Sequence, residues 1–235
     1  MSIKLGEQEP TPEKIDSTTP KAQAGHPSIE KSRLAWWQLA CKRLIDILVS
    51  IVGATLFVPL WLVAGTAIKL NSKGSVLYRQ IRIGKNGRPF TLYKFRSMYE
   101  NADEMLGSLD ELNEAEGPVF KIRNDPRVTK VGAILRRTSL DEFPQIINVL
   151  KGNMSLVGPR PPLPQEVEKY GAYERGRLVV KPGLTCLWQI QGRSNVSFEK
   201  WVALDLEYIR RQSLWLDFKI LLKTMPAVIK GTGAW

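Results

Sequence analysis

The chain has 235 residues, 43% of them hydrophobic, which is enough for one catalytic domain with a buried core and excludes a fibrous or fully disordered chain. Lys and Arg (34) outnumber Asp and Glu (23), and the net charge of +11 predicts attraction to nucleic acid, a phosphorylated substrate or an acidic lipid surface. The single histidine, His26, lies in a polar segment, and Cys41 and Cys186 stand far apart. Histidine-dependent catalysis, a zinc site and a disulfide framework are therefore not expected.

Residues 1–31 are rich in Pro, Thr and Glu and show no apolar periodicity. Such a segment cannot bury enough apolar surface to fold, so we predict a disordered N-terminal tail. It also lacks the apolar stretch of a signal peptide.

Residues 32–72 have the composition of a membrane-embedded segment. The 22 residues between Asp46 and Lys69 carry no charge, and as a helix they would extend about 33 Å, enough to cross a bilayer core. Pro59 stands near the middle of this stretch, where it should bend a helix. Basic residues flank both ends, so charge gives no orientation for a single crossing. We predict a re-entrant helix broken at Pro59, with a kinked single span as the alternative.

Residues 73–235 are predicted to form an α+β domain on the cytosolic face, compact and mainly helical with a small β-hairpin. Its first part, 71–99, has seven cations and no acid, and reads as two strands around a turn at 84–87. A hairpin this basic, directly after a membrane segment, should contact lipid headgroups or a polyphosphate. A merely solvated basic face is the alternative.

The rest of the domain is predicted to be mostly helical. Residues 101–117 are acidic and should form a helix and an exposed loop. The prolines of 155–164 should fix an extended loop that presents Arg160. The C-terminal segment 213–231 has the composition of an amphipathic helix in the membrane interface, although packing on the core would explain it equally well.

Residues 138–145 read TSLDEFPQ and place two carboxylates, Asp141 and Glu142, next to each other. Ser139 and Glu142 match a capping box, which would make the acids an ordinary helix start. Pro144 would then interrupt the helix at its fifth position, so we predict that the helix begins with Asp141 at the N-cap. That position also favours a bound anion, and the residues alone leave a helix start and a catalytic pair both open.

Four motifs resemble the bacterial sugar transferase family: YKFRSM (93–98), NDPRVTKVGAILRRTSLDEFPQIINVLKGNMSLVGPRP (124–161), VKPGLTCLWQIQGR (180–193) and LDLEYIRR (204–211). Its members are monotopic phosphoglycosyl transferases, which start glycan assembly on a polyprenol phosphate. The resemblance covers residues 36–235. It implies an enzyme on the cytoplasmic face of a bacterial inner membrane that transfers a sugar-1-phosphate from a UDP-sugar to undecaprenyl phosphate and releases UMP.

The resemblance also implies roles for individual residues. Asp141 would be the nucleophile that attacks the β-phosphate, and Glu142 would act as a base or as a partner at the metal site. Mg²⁺ would be the cofactor, held by Asp141 with Glu142, and Arg160 of the Pro-Arg-Pro element would bind phosphate. Further candidates for binding substrate or phosphate are Lys94, Arg96, Arg136, Arg137, Gln189 and Arg193. The membrane helix of the family usually breaks at a Ser-Pro pair, which corresponds to Val58-Pro59 in this sequence.

A second hypothesis is a non-enzymatic adaptor that binds anionic lipid through residues 71–99 and the C-terminal helix. Nucleic-acid binding is not expected, because no recognised motif accompanies the basic residues. The identity of the sugar is not encoded in a recognisable motif, and a homodimer is left open.

Overall fold

The computed structural model describes residues 34–114, 117–120, 122–191 and 196–230, so the predicted tail lies outside the described residues. The described chain begins with two helices, α1 (Trp36–Leu56) and α2 (Val58–Asn71), whose axes differ by 61°. Within the described chain, neither helix alone is long and apolar enough to cross a membrane, whereas the bent pair together meets that test by length and composition.

The break between the two helices lies at Phe57, directly before the Val58-Pro59 pair. Pro59 is the second residue of α2. At that position its missing N–H is not needed, because the first N–H groups of a helix have no partner inside the helix. Pro59 therefore begins the second helix, and the chain bends just before it.

The predicted hairpin is confirmed. Strands β1 (Leu77–Ile83) and β2 (Pro89–Phe95) pair antiparallel around a short 3₁₀ turn, Lys85–Gly87. Tyr78 pairs with Lys94. Because side chains alternate along a strand, Tyr78, Gln80 and Arg82 of β1 project on the same face as Lys94.

The remaining described elements are short, apart from two longer helices at the C-terminal end, and the fold is mainly helical with a small amount of sheet, as predicted. A parallel strand pair, β3 with β4, lies among them. In chain order they are a 3₁₀ helix (Leu106–Leu112), α3 (Lys130–Arg137), a 3₁₀ helix (Leu140–Gln145), α4 (Ile146–Leu150), β3 (Ser155–Val157), α5 (Pro164–Glu168), α6 (Ala172–Arg175), a 3₁₀ helix (Gly176–Val179), β4 (Gly183–Thr185), α7 (Leu187–Ile190), α8 (Phe198–Arg211) and α9 (Leu214–Lys230).

Helix α1 is attached to the domain by buried polar contacts. The ammonium of Lys42 lies 2.5 Å from Asp217 of α9 and 3.1 Å from the carbonyl of Val157. Asp46 accepts hydrogen bonds from the Ser155 hydroxyl and the Leu156 N–H. The first half of α1 thus belongs to the domain core, although much of its remaining surface is apolar and exposed.

Helix α9 has two different faces. Asp217 and Ile220 are buried against the domain, whereas Trp215, Phe218 and Leu222 are about half or more exposed. Core packing is therefore confirmed for one face of α9, and the other face exposes an apolar surface.

Candidate active site

The carboxylate pair lies on a 3₁₀ helix rather than at the start of an α-helix. Ser139 has a left-handed backbone conformation (φ 57°) and ends the preceding helical turn. Asp141 is then the second residue of the 3₁₀ helix, so its predicted place at the N-cap was wrong. Pro144 explains the tighter turn, because it cannot supply the N–H that an α-helix would direct to the Leu140 carbonyl. The Ser139 side chain makes no capping bond, and the capping box is not formed.

Asp141 is a buried carboxylate with only 8% of its surface exposed. Burial raises its pKa to about 6, and the negative charge of Glu142 adds to this shift, while the positive charges of Lys94 and Arg136 oppose it. A carboxylate with this pKa is mostly ionised at neutral pH and poorly hydrated, which suits a nucleophile.

Glu142 has a different environment, although it is the next residue. Its Oε1 accepts a hydrogen bond from the ammonium of Lys94 at 2.8 Å, and 33% of its side chain is exposed. Burial by itself would raise the pKa of Glu142, but Lys94 and the charge of Arg160 lower that pKa below its usual range. The two carboxylates therefore differ in protonation behaviour and can perform different tasks.

Both carboxylates line a cleft of about 1930 Å³. Five of the residues predicted to bind substrate or phosphate also line it: Lys94, Arg96, Arg136, Arg160 and Gln189. They come from β2, the segment after it, α3, the proline-rich loop and α7. The fold thus brings residues that are far apart in the sequence around Asp141.

The other predicted residues have different positions. Arg137 is exposed at the end of α3 and is not among the described residues that line the cleft. Arg193 lies outside the described residues. Arg96 lines the cleft, but its guanidinium also donates to the carbonyl and hydroxyl of Ser72 at the end of α2, where a cation is favoured by the helix dipole.

Cys186 lies next to the cleft-lining residue Thr185 and is buried. Burial raises the pKa of its thiol well above the usual value, so the thiol stays protonated and unreactive.

Arg82 is a residue of the cleft that the sequence motifs did not single out. It lines the cleft, is buried, and donates to the side-chain oxygen of Gln80 and to the carbonyl of Pro161. Burial and the charge of Arg160 lower its pKa to about 9. The alternation of side chains along β1 could have identified it, because this alternation places Arg82 on the same face as Lys94.

The bend between α1 and α2 adjoins the carboxylates. The ring of Phe143, the residue after Glu142, lies 4.5 Å from that of Phe57 at the bend and 6.4 Å from that of Trp61. The cleft lining also includes Val49 and Gly53 of α1. The charged site is therefore bordered by an apolar wall made by the bent helix pair.

The residues present fit a magnesium ion that is shared with a substrate. The described part of the chain contains no group of three or more His, Cys, Asp or Glu side chains that could hold a metal by themselves. Mg²⁺ commonly takes one or two carboxylates and completes its coordination with water and substrate phosphates. Asp141 and Glu142 provide that number of carboxylates in a cleft that several cations also line.

The chain is similar to a known protein family and to several known proteins. The model of the family described as bacterial sugar transferase matches residues 37–231. The galactosyl transferase CpsE of Streptococcus agalactiae is 46% identical over 199 residues, which are 83% of this chain and 44% of that protein. The exopolysaccharide production protein ExoY of Rhizobium meliloti is 44% identical over 198 residues, 83% of this chain and 88% of that protein.

A third relative, the undecaprenyl-phosphate galactose phosphotransferase of Salmonella typhimurium, is 42% identical over 198 residues, which are 83% of this chain. This chain spans only 44% of the length of CpsE and 41% of the length of the Salmonella protein, whereas it spans most of ExoY. Because the family model covers nearly all of the described residues, the chain belongs to the bacterial sugar transferase family.

Proposed function

We propose that this protein transfers a sugar-1-phosphate from a UDP-sugar to undecaprenyl phosphate and releases UMP, an early membrane step of glycan synthesis. The observation that carries the proposal is the position of Asp141: a buried, mostly ionised carboxylate in a large cleft that Lys94, Arg136 and Arg160 also line. Family membership and the names of the relatives support the same reaction.

In the first step, a carboxylate oxygen of Asp141 attacks the β-phosphorus of the UDP-sugar. A phosphorus–oxygen bond forms to Asp141, the bond from the β-phosphorus to the bridging oxygen breaks, and UMP leaves with the bonding electrons. The cations of the cleft offset the negative charge that the diphosphate brings and the charge that develops on UMP. Arg160 suits this task because a guanidinium can bind two phosphate oxygens at once.

In the second step, an oxygen of the polyprenol phosphate attacks the same phosphorus. The bond to Asp141 breaks, the carboxylate is restored, and the sugar is now joined to the lipid through a diphosphate. Glu142, whose low pKa keeps it ionised, can accept a proton from the incoming phosphate or orient it.

We propose Mg²⁺ as the cofactor, with Asp141 and Glu142 as its protein ligands. When bound with the substrate, it would offset the charge of the transferring phosphoryl group.

We further propose that α1 and α2 form a re-entrant segment in the cytoplasmic face of the bacterial inner membrane, with residues 73–235 as the catalytic domain. The exposed apolar side chains of both helices support this placement, since such surface is rarely left to water. The contact of Phe57 with Phe143 supports it too, because it brings the bend of the helix pair next to the two carboxylates.

The test is mass spectrometry of the purified protein after incubation with a UDP-sugar and Mg²⁺, without lipid acceptor. A mass increase equal to one sugar phosphate, together with one equivalent of UMP, is expected for the unchanged protein. Asp141→Asn should abolish both, whereas Glu207→Gln, an exposed surface change on α8, should not affect them. An adduct that persists in Asp141→Asn contradicts the assignment of the nucleophile, and absence of UMP with every UDP-sugar tried favours the lipid-binding adaptor.

A further inference from the structure

The loop that carries Arg160 is held by its carbonyl groups. Residues 159–162 read Pro-Arg-Pro-Pro, so three of the four have no N–H to donate. The two outer carbonyls accept from main-chain N–H groups: Pro159 from Gly183 (2.9 Å), and Pro162 from Ile83 (2.9 Å). The loop is thus connected to β4 on one side and to β1 on the other.

The two inner carbonyls accept hydrogen bonds from buried guanidiniums. Arg177 donates to the carbonyl of Arg160 at 3.4 Å, and Arg82 donates to the carbonyl of Pro161 at 3.1 Å. Four consecutive carbonyls are therefore bound by four separate donors. Arg177 thus holds the backbone of Arg160, whose own guanidinium lines the cleft. Arg82 holds the backbone of the next residue, Pro161.

Arg177 is a buried cation with its own counter-ion. Its guanidinium lies 2.7 and 2.8 Å from a carboxylate oxygen of Asp205, and it donates to the hydroxyl of Tyr170 at 3.0 Å. Asp205 and Tyr170 fix this guanidinium in the core without the loop. Its bond to the Arg160 carbonyl is therefore an additional contact.

Arg82 is buried without such compensation. Its exposed fraction is 6%, and no described carboxylate lies within 4.0 Å of it. A buried cation without a close counter-ion is unfavourable to folding. Its planar fork binds Gln80 along one edge and Pro161 along another, which the single ammonium of a lysine cannot do in the same geometry.

Arg160 itself is only weakly restrained through its side chain. Its guanidinium lies 5.1 Å from the ring centre of Trp201 and 3.7 Å from Glu166, and 32% of the side chain is exposed. Its direction into the cleft therefore depends on the backbone from which it projects.

We propose that Arg82 and Arg177 are positioning residues that fix the backbone around Arg160, so that its guanidinium meets the substrate phosphates already oriented. This inference rests on the proposed function, in which Arg160 binds phosphate. The benefit is preorganisation, because a displacement of about 1 Å at a phosphate-binding group can reduce a rate about 100-fold.

The first test is a kinetic double-mutant cycle with UMP release as the readout. Arg82→Lys should lower kcat/KM for the UDP-sugar by about 10-fold or more. In a protein that already carries Arg160→Ala, the same change should lower it less than about 2-fold, because Arg82 acts through Arg160. If the double variant loses kcat/KM by the product of the two single-variant factors, the proposal is contradicted. Such a result would indicate that Arg82 contacts the substrate directly or that folded protein is lost.

The second test does not depend on activity. Hydrogen exchange at the amides of Ile83 and Gly183, which bind the loop, should become faster in Arg82→Lys. The surface control Arg211→Lys should leave both rates unchanged. If Arg82→Lys does not fold, Gln80→Met, which removes the acceptor that orients Arg82, should give a smaller change in the same direction.

Unchanged exchange at both amides in a folded variant overturns the positioning role whatever the kinetics show. If Arg160→Ala releases UMP at the normal rate, the proposed function of Arg160 fails, and the exchange rates still decide whether Arg82 fixes the loop.

Discussion

The ammonium of Lys94 forms its hydrogen bond with Glu142, at 2.8 Å, and not with the neighbouring Asp141. Glu142 therefore forms an ion pair with Lys94, whereas Lys94 acts on Asp141 only through the electrostatic effect of its charge. Burial raises the pKa of Asp141 to about 6, whereas Lys94 helps to bring the pKa of Glu142 below its usual range, so the two acids can perform different chemistry.

The first prediction concerns the pH dependence of activity. Because Asp141 must be ionised to attack, kcat/KM should fall below about pH 6, by about tenfold for each pH unit at the acid end. Lys94→Met removes a charge that favours ionised Asp141, so the acid limb should move upward by about one pH unit or more. The profile is measured by UMP release across pH 5 to 8.

Lys151→Met is the matched control, because Lys151 is an exposed lysine that binds the hydroxyl of Tyr93. Its acid limb should coincide with that of the unchanged protein. A limb that stays in place in Lys94→Met would show that the titrating group is not Asp141.

The sequence predicted Asp141 and Glu142 as a pair of site residues, but it did not predict their geometry. The motif around Asp141 and Glu142 identified both residues, and Pro144 correctly argued against a capping box. The sequence did not reveal that Ser139 would adopt a left-handed conformation, because that depends on how α3 and β2 pack against this turn. The separate pKa shifts depend on the same packing.

The second prediction concerns stability. The pKa of Asp141 is raised from 3.8 to about 6, so its contribution to folding is fully present below pH 4 and is lost as the pH rises through 6. Asp141→Asn should therefore unfold at a higher temperature than the unchanged protein at pH 7.5. The expected gain is up to about 3 kcal/mol, from a shift of about two units.

At pH 4 the two proteins should unfold at nearly the same temperature. Thermal unfolding in detergent at both pH values measures the difference. An Asp141→Asn protein that is equally stable at pH 7.5 would mean that the carboxylate is better hydrated than its burial indicates.

The third prediction concerns the attachment of α1. Lys42→Met would leave the buried carboxyl group of Asp217 without its cation, and breaking such a pair typically costs about 3–5 kcal/mol. Combining Lys42→Met with Asp217→Asn should recover part of the loss, because Asp217 then carries no charge that has lost its partner. Arg211→Gln, which breaks an exposed pair with Glu207, should cost less than about 1 kcal/mol. Denaturant unfolding distinguishes the three cases, and equal losses in all of them would contradict the role of the buried pair.

Only some of the cations in the cleft could be predicted from the sequence. Lys94 and Arg160 were identified from short motifs, but Arg82 and Arg177 were not, because their importance arises from contacts with loop residues that lie 79 and 17 positions away in the chain. Adjacent arginines at the end of α3 looked equivalent in the sequence. The helix turns by about 100° between them, so Arg136 lines the cleft while Arg137 is exposed.

The fourth prediction concerns the membrane topology of the bent helix pair. In a protein without the exposed thiol of Cys41, single cysteines at Ala35 and Lys73, both exposed, are labelled with an impermeant reagent in sealed vesicles. Both positions should react from the same side, the one that carries the catalytic domain. Labelling from opposite sides would establish a single span.

The contacts of the two helices favour the re-entrant outcome. Lys42 of α1 is bound to Asp217 of α9, and Ile68 of α2 is buried with Phe95 of β2, so both helices are attached to one domain. A single span would carry Lys42 and Ile68 toward opposite faces of the bilayer, since 26 residues of straight helix extend about 39 Å. One of the two attachments would then have to break and leave buried surface exposed. The bend at Phe57 lets both persist, and we therefore expect labelling from one side.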